Sequence, residues 1–123
     1  MTIEKHEIKV TTVGSAGSAV GSTVVGLPLC KLLSVYLDYT SQPGTTDVTI
    51  KATGNPAEQT LLTRTNANGD GWFFPKTQDH DNVAAAVTGS YSHPVIHNGG
   101  LSVAVAQGDA ITDGLVATVY IEV

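Results

Sequence analysis

Apolar and polar residues alternate with a period of two along most of this chain, which is the pattern of β-strands with one buried face. The alternation is clearest in residues 29–40, where Leu33, Val35, Leu37 and Tyr39 fall on one side. Turn-forming residues interrupt the pattern about every 8–12 residues. The segments predicted to be extended are 2–13, 19–25, 29–40, 46–53, 58–65, 72–75, a short strand within 79–89, 93–97, 101–105 and 115–121.

This inventory predicts an all-β fold of about eight or nine short strands, arranged as a two-sheet β-sandwich. Jelly-roll and immunoglobulin-like topologies both fit the spacing. A Pro-Gly turn at 41–44 predicts that 32–53 forms an antiparallel hairpin. Residues 79–89 could also make a helical turn, but Thr88-Gly89 would end it quickly, so a loop and a short strand are favoured.

The aromatic residues are concentrated in one run. Trp72, Phe73 and Phe74 are the only tryptophan and the only phenylalanines of the chain, and Pro75 follows them. Large aromatic side chains dominate the packing of small cores. We therefore expect this strand at the centre of the sandwich, with Trp72 and Phe74 on one face, Phe73 on the other, and Trp72 buried.

The length of 123 residues fits a single core. Residues 1–26 are predicted to form an N-terminal strand and a Gly/Ser/Ala-rich arm or loop, and residues 27–123 the β-sandwich domain. Two interpretations of 14–26 remain open. It is either a flexible loop leading into a strand at 19–25, or an extended arm that orders only against a neighbouring subunit.

Composition excludes several classes of partner. Only 14% of residues are charged and the net charge is -5, with six Lys and Arg scattered singly. The absence of a basic run predicts no nucleic-acid partner, and an anionic membrane surface would repel the chain. There is no apolar run of about 20 residues and no signal-peptide pattern, so no membrane association is expected. The single Cys30 cannot form an internal disulfide, which is consistent with synthesis in a reducing cytoplasm.

Two segments resemble metal sites in part. Asn66, Asn68 and Asp70 occupy the first positions of a calcium loop, but its twelfth position is Thr77 rather than glutamate. These residues are therefore predicted to form a hairpin turn. His80 lies between two aspartates, and His93 and His97 are four residues apart around Pro94. A zinc site needs three or four convergent ligands, so loop or interface histidines are the favoured interpretation and no metal is expected.

The candidate nucleophiles do not form a catalytic pattern. No serine lies in a Gly-x-Ser-x-Gly elbow, and Cys30 at the start of an apolar strand is predicted to be a small core residue. The serines considered are Ser34, Ser90, Ser92 and Ser102. Residues 14–19 lack the Lys-Ser or Lys-Thr ending of a phosphate-binding loop. We expect no enzymatic activity, no catalytic residues and no cofactor.

Several strand segments together resemble a known family. These are Tyr36-Leu37-Asp38-Tyr39, Thr45-Thr46-Asp47-Val48-Thr49-Ile50, Gly71-Trp72-Phe73-Phe74-Pro75 and Leu101-Ser102-Val103-Ala104-Val105-Ala106. Over roughly residues 32–123 the chain resembles the small head proteins of tailed bacteriophages, which are similar to capsid cement or decoration proteins. That resemblance implies a β-rich protein, often trimeric, that sits on the outer shell and braces contacts between major capsid subunits. The aromatic-proline segment of the family maps onto residues 72–75.

The sequence hypothesis is therefore a structural virion protein. It would bind the major capsid protein as a homotrimer on the capsid surface, after assembly in the host cytoplasm. The alternative is a β-sandwich module that binds carbohydrate or protein, in a virion tail or neck or displayed on a particle. Its candidate platforms are Tyr36, Tyr39, Tyr91 and Tyr120. A third possibility, an enzyme built around the histidines, is the least favoured.

Overall fold

The computed structural model describes residues 2–54, 57–97 and 99–123, and in these residues it is all-β. Eleven strands are present, two more than the upper end of the sequence prediction. Their bounds are β1 Ile3–Val10, β2 Ala19–Val25, β3 Cys30–Asp38, β4 Asp47–Ala52, β5 Gln59–Arg64, β6 Gly71–Phe73, β7 Thr77–His80, β8 Ala86–Ser92, β9 Val95–Ile96, β10 Leu101–Gly108 and β11 Leu115–Glu122.

The strands form two main antiparallel sheets and one separate hairpin. Sheet 1 has the order β1-β11-β3-β6, with β9 also pairing to β3, and sheet 2 has the order β2-β10-β4-β5. Strands β1 to β4 alternate between the two sheets, and the last two strands, β10 and β11, each lie between two of them. This is the strand order of a jelly roll. The two-sheet prediction is confirmed, and the order decides between the topologies that the sequence left open.

The core lies between the two sheets and is aliphatic. Period-two alternation puts every second residue of β10 and β11 inside, as the sequence predicted. Sheet 1 contributes Ile8, Val10, Leu32, Val35, Leu37, Leu115, Ala117, Val119 and Ile121, and sheet 2 contributes Val48, Ile50, Leu101, Val103 and Val105. Burial of these side chains is the main stabilising contribution to the fold.

The predicted hairpin across 32–53 is wrong. β3 pairs with β11, β6 and β9 in sheet 1, whereas β4 pairs with β10 and β5 in sheet 2. The connection between them, residues 39–46, crosses one end of the sandwich. Two of its side chains, Tyr39 and Gln42, are buried there. Alternation specifies which face of a strand is buried but not which strand lies beside it. A Pro-Gly turn is therefore compatible with either connection.

The turn predicted at residues 66–71 is also a crossover rather than a hairpin. It leads from β5 at the edge of sheet 2 to β6 at the edge of sheet 1. The strand register shifts by one residue at Leu33 in β3 and at Leu61 in β5, which are two of the β-bulges of this fold. Beside the first bulge Leu32 is buried, whereas Leu61 and Leu62 are both half-buried and both pack against the core.

The N-terminal segment belongs to the sandwich. β1 is an edge strand of sheet 1, and β2 pairs with β10 as an edge strand of sheet 2. A short turn joins them, in which Gly17 N donates to Asp109 Oδ1 at 3.0 Å. The strand predicted at 19–25 is present as β2. The extended-arm interpretation of 14–26 concerns a neighbouring subunit and stays a prediction.

β7 and β8 form a hairpin of their own, where only a loop and a short strand were predicted. Asp81 Oδ1 accepts hydrogen bonds from Val83 N and Ala85 N, both at 2.9 Å, and so closes the turn. Asp79 accepts from Ser90 Oγ and Ser92 Oγ, both at 2.6 Å, across the strands. These bonds stabilise a two-stranded unit that buries little apolar surface of its own.

Candidate functional site

The aromatic run lies on the outside of sheet 1, which corrects the prediction that Trp72 is buried. Trp72 is 51% exposed and Phe74 is 63% exposed. The predicted alternation along β6 is present, because Phe73 turns the other way and packs against the core. The sequence did not indicate which side faced inward, since three consecutive aromatic residues offer an apolar side chain to both faces.

Four aromatic rings meet on this outer surface, and we call Tyr36, Trp72, Phe74 and Tyr120 the aromatic cluster. Trp72 is opposite Tyr36 in the β3–β6 register, and their ring centroids are 5.1 Å apart at an interplanar angle of 64°. The Trp72 ring lies 6.0 Å from that of Tyr120 and 6.5 Å from that of Phe74, the latter pair inclined by only 18°. Such edge and offset arrangements are favourable, so the cluster holds a defined shape.

The strand register surrounds the cluster with polar and charged side chains. One row across the sheet runs Glu7, Thr118, Tyr36 and Trp72, and the next runs Lys5, Tyr120 and Ser34. An apolar centre with a polar rim is the usual anatomy of a protein-binding surface.

The inner side of β6 is fixed by a cationic contact. The guanidinium of Arg64 at the end of β5 lies 4.5 Å from the Phe73 ring centroid and 5.7 Å from that of Tyr39. Asp70 Oδ1 accepts from Tyr39 N at 2.8 Å, which holds the crossover against the end of β3. Burial raises the pKa of the Tyr39 hydroxyl, although Arg64 opposes the shift. These contacts position Trp72 and Phe74 on a rigid support.

The four tyrosines have different positions. Tyr36 and Tyr120 belong to the aromatic cluster, and Tyr91 is 58% exposed on β8. Tyr39 is only 1% exposed, so it is excluded as a binding platform. Trp72 and Phe74, which the sequence analysis assigned to the core, form the most exposed part of the cluster.

Two side chains of the partial calcium loop form hydrogen bonds with the backbone of the protein. Asn68 Nδ2 donates to the carbonyl of Gln42 at 2.9 Å, and the carboxylate of Asp70 accepts from Tyr39 N. Thr77 begins β7. Within the described ranges, no group of three or more His, Cys, Asp or Glu residues is arranged to hold a metal ion.

Addition of Ca²⁺, Zn²⁺ or EDTA is expected to leave the melting temperature unchanged, because Asn68 and Asp70 are already occupied as hydrogen-bonding partners of the backbone. Differential scanning fluorimetry with and without each ion measures this directly. A stabilisation that grows with ion concentration, as mass action requires, would contradict the prediction.

The histidines and candidate nucleophiles do not form a catalytic arrangement. His80, His93 and His97 line a common open groove, but Ser90 and Ser92 donate to Asp79 rather than to a histidine. Those two hydrogen bonds lower the pKa of the Asp79 carboxyl, and the bond from Ser90 contributes most. Cys30 is buried, as predicted, and desolvation, with a smaller contribution from Glu4, raises the pKa of its thiol. A raised thiol pKa disfavours the nucleophilic thiolate.

Comparisons with protein-family models, with curated proteins and with solved structures found no match. Among the described residues there is no helix long and apolar enough to cross a membrane. The function of this protein is therefore inferred from its own surfaces and from its sequence.

Proposed function

We propose that this protein is a structural component of a phage virion, a decoration protein that binds the outer surface of the head through the aromatic cluster. The observation that carries the proposal is the exposure of Trp72 and Phe74 at 51% and 63% on a flat, rigid sheet. The nature of the partner, a major capsid protein, is supported by the resemblance of residues 32–123 to phage head proteins.

The cluster has the composition of an interface centre. Tryptophan and tyrosine are enriched among residues that contribute most to binding energy, and they act when a ring of polar contacts excludes water around them. Thr118, Ser34, Lys5 and Glu7 supply that polar rim. The rings of the cluster also hold each other, so little side-chain entropy is lost on binding.

A homotrimer is part of the proposal. β5 ends the order of sheet 2, so it offers an edge on which another chain could pair. β1, the edge of sheet 1, carries the exposed Lys5 and Lys9, which disfavour edge-to-edge pairing there. Closed symmetry would cover the β5 edge in each copy.

Co-sedimentation with heads of the phage that carries the gene tests the proposal. The double variant Trp72→Ala/Phe74→Ala is expected to lose at least about tenfold in affinity, because two hot-spot side chains are removed from one surface. Tyr91→Ala is the matched control, since it removes an aromatic ring of similar exposure outside the cluster. Its affinity should equal that of the wild type, and light scattering should give a trimer mass.

Failure of the wild-type protein to bind heads, together with a monomeric mass at high concentration, would overturn the decoration proposal.

The alternative function is a carbohydrate- or protein-binding module. One observation favours carbohydrate, namely that the exposed rings of Trp72 and Phe74 are inclined by only 18° and so present nearly parallel planes. Retention on a neutral polysaccharide, lost in the double variant, would establish that alternative.

A further inference from the structure

A second surface lies at the base of the β7–β8 hairpin, next to the aromatic cluster. Two open grooves, of about 590 and 420 Å³, share the residues Ser92, His93 and Val95, and we call their combined length the trough. β9 forms its floor by pairing with the start of β3, at Lys31. Lys31 is five residues, or about 16 Å along β3, from Tyr36 of the aromatic cluster, whereas Lys76 follows Phe74 of that cluster by two residues.

The trough contains a large share of the basic and titratable side chains of an otherwise acidic protein. Three of the four histidines line it, His80, His93 and His97, together with two of the six Lys and Arg, Lys31 and Lys76. The Lys76 ammonium lies 3.1 Å from His93 Nδ1, at the junction of the two grooves. Of the described residues that line either groove, none is an aspartate or a glutamate.

The uncharged lining suits a hydroxyl-rich ligand. Gln59, Gln78, Thr77 and Ser92 line the trough with amide and hydroxyl groups. Gln78 Nε2, Thr77 Oγ1 and Ser92 Oγ already donate to the Val87 carbonyl, the Ser92 carbonyl and Asp79 Oδ1, so the oxygens of these three side chains serve a ligand hydroxyl as acceptors. Tyr91 lines the same trough and is 58% exposed, so its ring can stack on a sugar face. Cationic groups, hydroxyl partners and an aromatic ring along one open channel are complementary to a chain of acidic sugars.

We propose that the trough binds an acidic polysaccharide, with its carboxylate or sulfate groups on Lys76, Lys31 and the histidines. A single-stranded DNA is a poorer fit, because its deoxyribose units carry no free hydroxyl groups within the chain. Uronic-acid chains carry hydroxyl groups on every ring for the glutamine, threonine and serine side chains.

Carboxylates lie near the trough, although the described residues that line it include none. Glu122 stands opposite Lys31 in the β3–β11 register, and Asp79 accepts from Ser92, so carboxylates offset part of the lysine charge. Glu58 lines the neighbouring pocket that His97 also lines, and Asp81 follows His80 directly. Loss of a single lysine charge should therefore have a large effect on binding.

The test is affinity electrophoresis or titration calorimetry of the full chain with polygalacturonate and dextran sulfate at neutral pH. Dextran serves as the neutral probe and oligo-dT as the nucleic-acid probe. Binding is expected to the two acidic polysaccharides and not to dextran. Lys76→Gln should weaken it about tenfold, as loss of a charge-assisted hydrogen bond implies.

Lys9→Gln is the matched control, because it makes the same change of charge at an exposed site on β1, a strand that does not line the trough. It should alter affinity by less than about twofold. Circular dichroism confirms that each variant is folded. Equal binding to dextran, an equal loss in Lys9→Gln and Lys76→Gln, or tighter binding to oligo-dT than to polygalacturonate would each overturn the proposal.

Discussion

Leu37→Ala is expected to lower the free energy of unfolding by about 3–5 kcal/mol, whereas Trp72→Ala should lower it by only about 1–2 kcal/mol. Leu37 is fully buried between the sheets, so its truncation leaves a cavity in the core. Trp72 is half exposed, and its loss removes contacts with the rings of Tyr36, Tyr120 and Phe74 without opening the core. The larger residue therefore contributes less to stability.

Urea titration of both variants under identical conditions measures this order, with unchanged m-values as evidence that the same two-state transition is compared. Phe74→Ala is the matched control on the surface and should cost no more than Trp72→Ala. A loss of 3 kcal/mol or more in Trp72→Ala, about the cost of truncating a buried aromatic, would mean that Trp72 is a core residue. The aromatic cluster would then not exist as a docking surface.

The sequence predicts the strands of this fold much better than their partners. Residues 101–105 and 115–121 alternate cleanly because one face of each strand contacts the core, and both strands form as predicted. The pairing of β11 with both β1 and β3 joins residues at least 78 positions apart, and no local pattern records it. Turn residues at 41–44 could not show that the chain crosses between sheets there.

The candidate surfaces depend on those long-range pairings. Tyr36, Trp72 and Tyr120 come from three strands, and only the register of sheet 1 brings their rings together. Lys31 and Lys76 are isolated in the sequence and form no basic run, yet the fold brings both to the trough, Lys31 through the pairing of β3 with β9. The sequence predicts Trp72 in the core because large aromatic residues are usually buried. Exposed apolar patches are the exception to this tendency, and they often mark interaction sites.

A buried polar network at one end of the sandwich was not predicted from the sequence. Gln42 is only 3% exposed, and its Oε1 accepts from Asp109 N at 2.8 Å. Its Nε2 donates to Thr12 Oγ1 at 3.1 Å, and that hydroxyl in turn donates to the Asp109 carbonyl at 2.5 Å and accepts from Ile111 N at 3.1 Å. Two side chains thus satisfy the backbone of the β10–β11 loop and fix it to the end of β1.

Gln42→Ala is expected to lower the free energy of unfolding by about 2–4 kcal/mol, because the Asp109 amide would stay buried without its acceptor and Thr12 would lose a donor. Thr45→Ala is the matched control. It removes an exposed hydrogen bond, from Thr45 Oγ1 in the same β3–β4 connection to the Gln107 carbonyl near the end of β10. That control should cost about 1 kcal/mol or less. Equal losses in the two variants, measured by urea titration, would show that burial of the network contributes nothing.

A double-mutant cycle separates this network from general packing at the same end. A Cβ on Gly108 would lie 2.6 Å from Gln42 Oε1, and the next two nearest heavy atoms also belong to that side chain. Gly108→Ala alone should therefore displace Gln42 and cost nearly as much as Gln42→Ala. In the Gln42→Ala background it should cost little, because the obstructing amide is gone. We expect a coupling of about 1–3 kcal/mol between the two positions. Additive losses would mean that Gly108 is needed for its backbone conformation and not for the space that it leaves to Gln42.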